Sequence, residues 1–165
     1  MTNLVINDFF FPTKYHNEKK NLATCAKHFP GHGNTDSDSH KTLPTINFNE
    51  QRIDSVELYP YRKLIDNGLS SVMVAHLNVP ALETRNGLPS SLSKHIVTDI
   101  LKDTLGFKGL IYSDALEMKG VADYITPTVD GNAVNSLDKA GDVDLAAFLA
   151  GNDVLLISEN VPAGI

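Results

Sequence analysis

One cysteine, Cys25, in 165 residues rules out any internal disulfide, so a cross-linked mini-scaffold is excluded. Cys25 lies in an apolar run and reads as a small buried hydrophobe. Positive charge is scarce as well. The formal net charge is −6, and Lys19-Lys20 is the only basic run. Nothing resembles the basic stripe that neutralises phosphates, so neither a nucleic acid nor an anionic membrane surface is the expected partner. No apolar run reaches the roughly 20 residues needed to cross a bilayer. The first residues lack a basic leader followed by a long apolar core, so no secretory signal peptide is visible. The compartment, cytoplasmic or cell envelope, stays undecided.

What is present is globular. Hydrophobic residues make up 42% and charged residues 21%, enough for one domain with a real core. Residues 1–20 have no clear period and form an unassigned N-terminal segment; residues 21–165 carry the organised pattern. Leu22-Ala26 reads as a buried strand leading into Lys27-His28. Asn49 is a helix N-cap. Ile53, Val56, Leu58, Leu64 and Ile65 form an apolar stripe in which Pro60 kinks the helix or starts a second piece, and Gly68 closes it. Ser71-His76 is a near-continuous apolar run, as in a strand covered on both faces. Ser91 or Ser93 caps a helix built on Ile96, Ile100, Leu101 and Leu105, and Gly106 ends it. Gly109-Asp114 is a third strand. Val121-Asp142 reads as a long loop with some helix. Leu145-Ala150 is helical, Gly151 stops it, and Val154-Ser158 is the fourth strand. No hairpin signal stands out between adjacent runs.

Strands alternating with helices predict a parallel α/β architecture. A polar residue recurs at the C-terminal end of each strand: Lys27-His28, His76, Asp114, Ser158. Ligands bind at that end of parallel sheets. His76 and Asp114 are therefore expected to face the loop from Lys27 to His40, which holds three of the six histidines.

Asp38 two residues before His40 suggests an imidazole supported by a carboxylate, a proton shuttle near neutral pH. Asp114 at a strand end suits a nucleophile or a base. On opposite sides of a sugar ring, the two would make a retaining glycosidase with histidine in place of the usual acid/base carboxyl. Lys27 and His28 would donate hydrogen bonds to sugar hydroxyls. Other readings stand beside these. Asp114 is also placed to cap a helical turn at Ala115-Met118, and Asp38 to close an Asx-turn. His28, His32, Asp36, Asp38 and His40 offer ligands for a metal-dependent hydrolase. Pro30, Gly31 and Gly33 break the helix that would put His28 and His32 on one face, and no Glu lies between them.

Lys27-His28-Phe29-Pro30-Gly31-His32-Gly33-Asn34-Thr35, then Asp38-Ser39-His40 and Leu43-Pro44, closely resembles the signature of glycoside hydrolase family 3, in its β-N-acetylglucosaminidase branch. The resemblance runs on through Leu58-Tyr59-Pro60, Val72-His76, Ser90-Ser93, Gly106-Ile111, Ser113-Met118 and Ala150-Asp153, from about Asn21 to the C-terminus. It implies Asp114 as nucleophile, His40 as acid/base with Asp38 as its partner, and Lys27 and His28 as sugar-binding residues. It implies β-linked N-acetylhexosaminides as substrates, commonly peptidoglycan (muropeptide) fragments, and no metal or other cofactor. Phosphorolysis in the second step is kept as a variant, because a neutral histidine repels an anion less than a carboxylate does.

Asn34 stands where the motif most often has Asp, with an effect expected on the loop and not on the chemistry. The larger departure is length. The family's catalytic domain is a (β/α)8 TIM barrel of roughly twice this size. About four strand–helix units, the second half of such a barrel, are recognisable here. The family's earlier sugar-holding Asp and Arg have no counterpart in residues 1–20. A half barrel leaves strand edges and inward-facing apolar residues uncovered. The chain is therefore expected to self-associate or to borrow the missing half-barrel, as a fragment of a longer enzyme would. An inactive remnant that only binds sugar or a partner is the remaining alternative.

Overall fold

The computed structural model describes residues 23–32, 42–122, 124, 128–129, 132–133 and 139–156. Four parallel strands form one sheet in the order β1 (Cys25–Phe29), β2 (Ser71–Val74), β3 (Leu110–Ala115) and β6 (Val154–Leu156). Two short strands, β4 (Thr128–Val129) and β5 (Asn132–Ala133), pair antiparallel as a separate ribbon. The expectation that no hairpin interrupts the pattern is thus corrected. Asp130-Gly131, a strong turn dipeptide, lies between the two strands.

Strand order in the main sheet follows chain order without reversal. Right-handed crossovers between successive neighbours then carry every helix to one face, as in a barrel and unlike a doubly wound sheet. Burial agrees. Ala26, Val72, Val74, Ile111 and Ser113 are nearly or fully inaccessible, whereas Cys25, Met73, Tyr112 and Asp114 alternate with them and stay half-buried. The fold is α/β, a partial barrel with one finished face. Within Ser71-His76 every residue but the half-buried Met73 is buried, Ser71 on the same face as Met73 included, so the covering expected for both faces is incomplete only there. Cys25, expected to be buried, is half-buried as well.

The first strand begins three residues later than expected and includes Lys27, His28 and Phe29. Pairing decides this: Cys25 lies opposite Ser71, Ala26 opposite Val72 and Phe29 opposite Val74. Three residues span what two span on β2, which is the signature of a bulge. The Lys27–His28 and Phe29–Pro30 peptide bonds are both cis.

The helix signals hold. Asn49 Oδ1 accepts from the Arg52 N–H at 2.8 Å, capping Glu50–Arg52. A wide turn follows over Ile53–Glu57, where the Leu58 N–H reaches Ile53 C=O at 2.9 Å. Pro60 sits in the first turn of the next helix, Tyr59–Asp66, so it starts a second piece. Ser93 Oγ accepts from the Ile96 N–H at 3.2 Å and begins the helix His95–Thr104. Its Ile96, Val97 and Leu101 are fully buried against the sheet. Each such side chain stabilises the fold by about 1.5–3 kcal/mol relative to exposure. Lys119–Ala122 is a short helix, and Lys139–Ala150 is a longer one that Gly151 terminates at φ +112°. Among the described residues, no helix is long and apolar enough to cross a membrane.

Candidate active site

Strand alternation places Asp114 on the same face of β3 as Tyr112, opposite the buried Ile111 and Ser113. Ser113 Oγ accepts from the Leu156 N–H at 3.0 Å and ties β6 to β3 beneath the site. Asp114 is the residue after the last β2–β3 rung, Val74 opposite Ser113, so it stands at the C-terminal edge of the sheet. Its Oδ1 accepts from the Ala115 N–H at 2.9 Å. An N-cap would accept from two or three residues further on, so the geometry is not that of a helix cap.

The bulge in β1 turns Lys27 and His28 out of strict alternation. Lys27 is exposed and His28 partly so. His28 Nε2 lies 3.8 Å from Asp114 Oδ2, with the two side chains 33% and 21% accessible. The pair bridges β2, which lies between their strands. Burial lowers the pKa of His28. Asp114 opposes that shift, and Lys27 and His32 add to it. The imidazole is therefore neutral at pH 7 and can donate from only one nitrogen.

Most of the loop from Lys27 to His40 that His76 was expected to face, residues 33–40, lies outside the described residues. His76 itself is buried, 1% exposed, two residues beyond the end of β2. Its Nε2 lies 2.9 Å from Ala115 C=O and its Nδ1 2.7 Å from Ser91 Oγ. A carbonyl only accepts, so Nε2 carries the proton and Nδ1 accepts from the Ser91 hydroxyl. Burial lowers the pKa of this imidazole too, against the pull of Ala115 C=O, Asp114 and Glu117.

Three further residues shape this end of the sheet without a sequence signal strong enough to single them out. Glu83 is buried and grips the Arg85 guanidinium through both oxygens, at 3.0 and 2.8 Å, while the Ser93 hydroxyl donates to Oε2. Arg85 holds the Glu83 carboxyl down at about 2. That clamp fixes the loop after β2. Asn152 Nδ2 donates to Ser91 C=O at 2.8 Å and to Ala147 C=O at 2.6 Å. A cavity of about 570 Å³, lined by residues including Asp54, Arg62, Glu83 and His95, lies in the helix layer, and Lys27, His28 and Asp114 do not line it.

Asp38 and His40 lie outside the described residues, as do Asp36 and Ser158. Of the proposed metal ligands, His28 and His32 are described. Their rings meet edge to face, 5.9 Å between centroids. Among the described residues, no group of three or more His, Cys, Asp or Glu is arranged to hold a metal ion.

Residues 14–163 match the family described as glycosyl hydrolase family 3 N terminal domain. The chain is similar to the β-hexosaminidase of Chromobacterium violaceum, 37% identical over 136 residues, which are 82% of this chain and 34% of that protein. A solved glycoside hydrolase family 3 β-N-acetylglucosaminidase from Paenibacillus sp. superposes with a TM-score of 0.76 at 32% identity, over 89% of this chain and 26% of that one. Native NagZ from Neisseria gonorrhoeae superposes with a TM-score of 0.69 at 29% identity, over 88% and 36%. The chain spans roughly a third of the length of the curated relatives it matches.

Proposed function

The chain belongs to glycoside hydrolase family 3, and on that premise we propose that it supplies the nucleophile-bearing half of a retaining β-N-acetylhexosaminidase barrel. The observation that carries the reading is the approach of His28 to Asp114 Oδ2 at the C-terminal edge of a parallel sheet. A partly accessible carboxylate there, beside a neutral imidazole donor, suits attack on an anomeric carbon with a sugar hydroxyl held next to it.

Asp114 Oδ2 attacks the anomeric carbon of a terminal β-linked N-acetylhexosamine, and the glycosidic C–O bond breaks. Protonated His40, supported by Asp38, gives its proton to the departing oxygen. Neutral His40 then takes a proton from water. The resulting hydroxide attacks the same carbon and frees the Asp114 carboxylate. Lys27 and His28 hold the sugar hydroxyls through both steps. The substrate class is N-acetylhexosaminides, peptidoglycan fragments among them. No step requires a metal. The first half of the barrel is the partner that completes the site and covers the open face of the sheet.

The test assays the chain alone and mixed with the separately produced first half of a family barrel. The readouts are turnover of a chromogenic N-acetylglucosaminide, with and without phosphate, and mass analysis after rapid quenching. Turnover in the mixture, with a glycosyl increment on the peptide containing Asp114, is expected. Turnover that Asp114→Asn leaves unchanged would remove Asp114 from the nucleophile role. Sugar 1-phosphate appearing only with phosphate would replace hydrolysis by phosphorolysis.

A further inference from the structure

We infer that His76 is a positioning residue that acts through Ala115 to decide which oxygen of Asp114 is free to react. The inference rests on the reading of Asp114 as nucleophile.

The backbone ladder between β2 and β3 ends at Val74 opposite Ser113. Asp114 follows immediately, where no β2 rung holds it. Ala115 pairs with Leu156 of β6 on its other side; on the β2 side the His76 side chain supplies the link, because Nε2–H donates to Ala115 C=O. The N–H of the same residue donates to Asp114 Oδ1. Fixing Ala115 therefore fixes the donor that occupies Oδ1. Oδ2 is left pointing toward His28 and the open edge. The two oxygens of one carboxylate thus become unequal: one is held by the main chain and the other is available for attack.

The imidazole has a firm seat of its own. Ser91 donates to Nδ1, and Ser91 C=O is held by Asn152 beside the helix that precedes β6. The neighbouring Ser90 hydroxyl donates to Ala75 C=O at 2.6 Å and accepts from the Leu77 N–H at 3.2 Å, bracketing His76 on both sides. An apolar side chain here would fill the space and leave Ala115 C=O and the Ser91 hydroxyl without these partners. A neutral histidine satisfies both at once. Burial keeps it in that form.

The test compares His76→Leu with His76→Gln in the reconstituted barrel, normalising rates to active sites by the size of the glycosyl-enzyme burst. A Gln amide can donate from nearly the place of Nε2; Leu cannot. His76→Leu is expected to lower kcat about tenfold or more, by misplacing a reacting atom, with KM within about twofold of wild type. His76→Gln should restore most of the loss. Hydrogen exchange at the Ala115 amide, measured on the chain itself, is the readout independent of catalysis. It should speed up in His76→Leu and slow again in His76→Gln. Wild-type kcat together with unchanged Ala115 exchange in His76→Leu would overturn the inference, as would a loss that Gln does not restore. An inactive wild type whose Ala115 amide still depends on His76 would instead sink the nucleophile reading and leave the anchoring intact.

Discussion

His28 Nε2 and Asp114 Oδ2 lie 3.8 Å apart although β2 separates the strands that carry them. Two strand spacings amount to about 9.6 Å in a flat sheet. The contact therefore needs side chains leaning together over the half-buried face, and the bulge between Ala26 and Phe29 re-aims His28 toward that face. Removing the imidazole should affect substrate holding more than chemistry. His28→Ala is expected to raise KM about tenfold, the scale of one lost hydrogen bond to a charged or strongly polarised site. His28→Gln should recover part of it. Steady-state kinetics on the reconstituted barrel read both.

Asp38 and His40 are tested through the leaving group. A proton donor matters most when the departing oxygen is a poor leaving group. His40→Ala should therefore slow cleavage of an alkyl N-acetylglucosaminide by about a hundredfold or more and that of a nitrophenyl one far less at the first step. Asp38→Asn should shift the pH–rate profile by lowering the basicity of His40. Equal losses on both substrates would assign His40 to binding. A strong chelator should leave the rate unchanged, and inhibition reversed by added metal would revive the metal-dependent reading.

Acid should destabilise the chain in two stages. Burial lowers the pKa of His28 and His76 in the fold below the ordinary 6.5. Below that pH the unfolded chain binds more protons than the native one, so stability falls as pH drops. The Glu83 carboxyl, held at about 2 against an ordinary 4.5, adds stability above pH 4.5 that is lost as pH falls toward 2. Melting temperature should be flat from pH 8 to 7 and decline below about 6.5, with a further fall below about 4.5. Glu83→Gln should remove much of the second stage.

Among the described residues neither buried oxygen of Asp144 has a hydrogen-bond partner, and burial raises its carboxyl pKa. Asp144→Ala should therefore stabilise the chain, by about 1 kcal/mol, read by urea unfolding. The opposite sign is expected at Gly109, where an added Cβ would collide with the Ser70 carbonyl oxygen. Main chain cannot yield there as a flexible side chain can. Gly109→Ala should destabilise by about 1–3 kcal/mol, the range for overpacking.

Leu145, Phe148 and Leu149 form one exposed stripe on the helix Lys139–Ala150, at 55%, 62% and 66% accessibility. That stripe belongs to the helix layer, whereas the first half of the barrel is proposed to cover the open face of the sheet. Light scattering of the purified chain should show association rising with concentration, suppressed by adding the complementary half. Phe148→Glu should weaken self-association and leave capture of that half unchanged. A monodisperse chain that does not bind the half-barrel would refute the pairing.

Much of the architecture was legible because its signals are local. Asn49 and Ser93 cap helices through bonds that span three residues, and Gly68 and Gly151 close helices by their own backbone freedom. Asp114 followed an apolar strand directly, which is enough to place it at the sheet edge. The Asp130-Gly131 turn dipeptide is equally local, but no long apolar run flanks it to mark a hairpin.

What remained depended on residues distant in the chain. The extent of β1 was set by Ser71 to Val74, more than forty residues away, and pairing overrode the apolar run that suggested an earlier start. The partial exposure of Cys25, Met73 and Tyr112 on one face of the sheet followed from where the helices pack. The apolar pattern of a strand reports that it is covered, not by how many layers. His76 was drawn inward by Ser91 and Ala115, which only the folded chain brings together. The sequence by itself determined that Asp114 stands near the C-terminal end of an apolar strand, because that signal is local. Tertiary structure decided which residues meet, because hydrogen bonds at 3 Å depend on distance in space and not on separation along the chain.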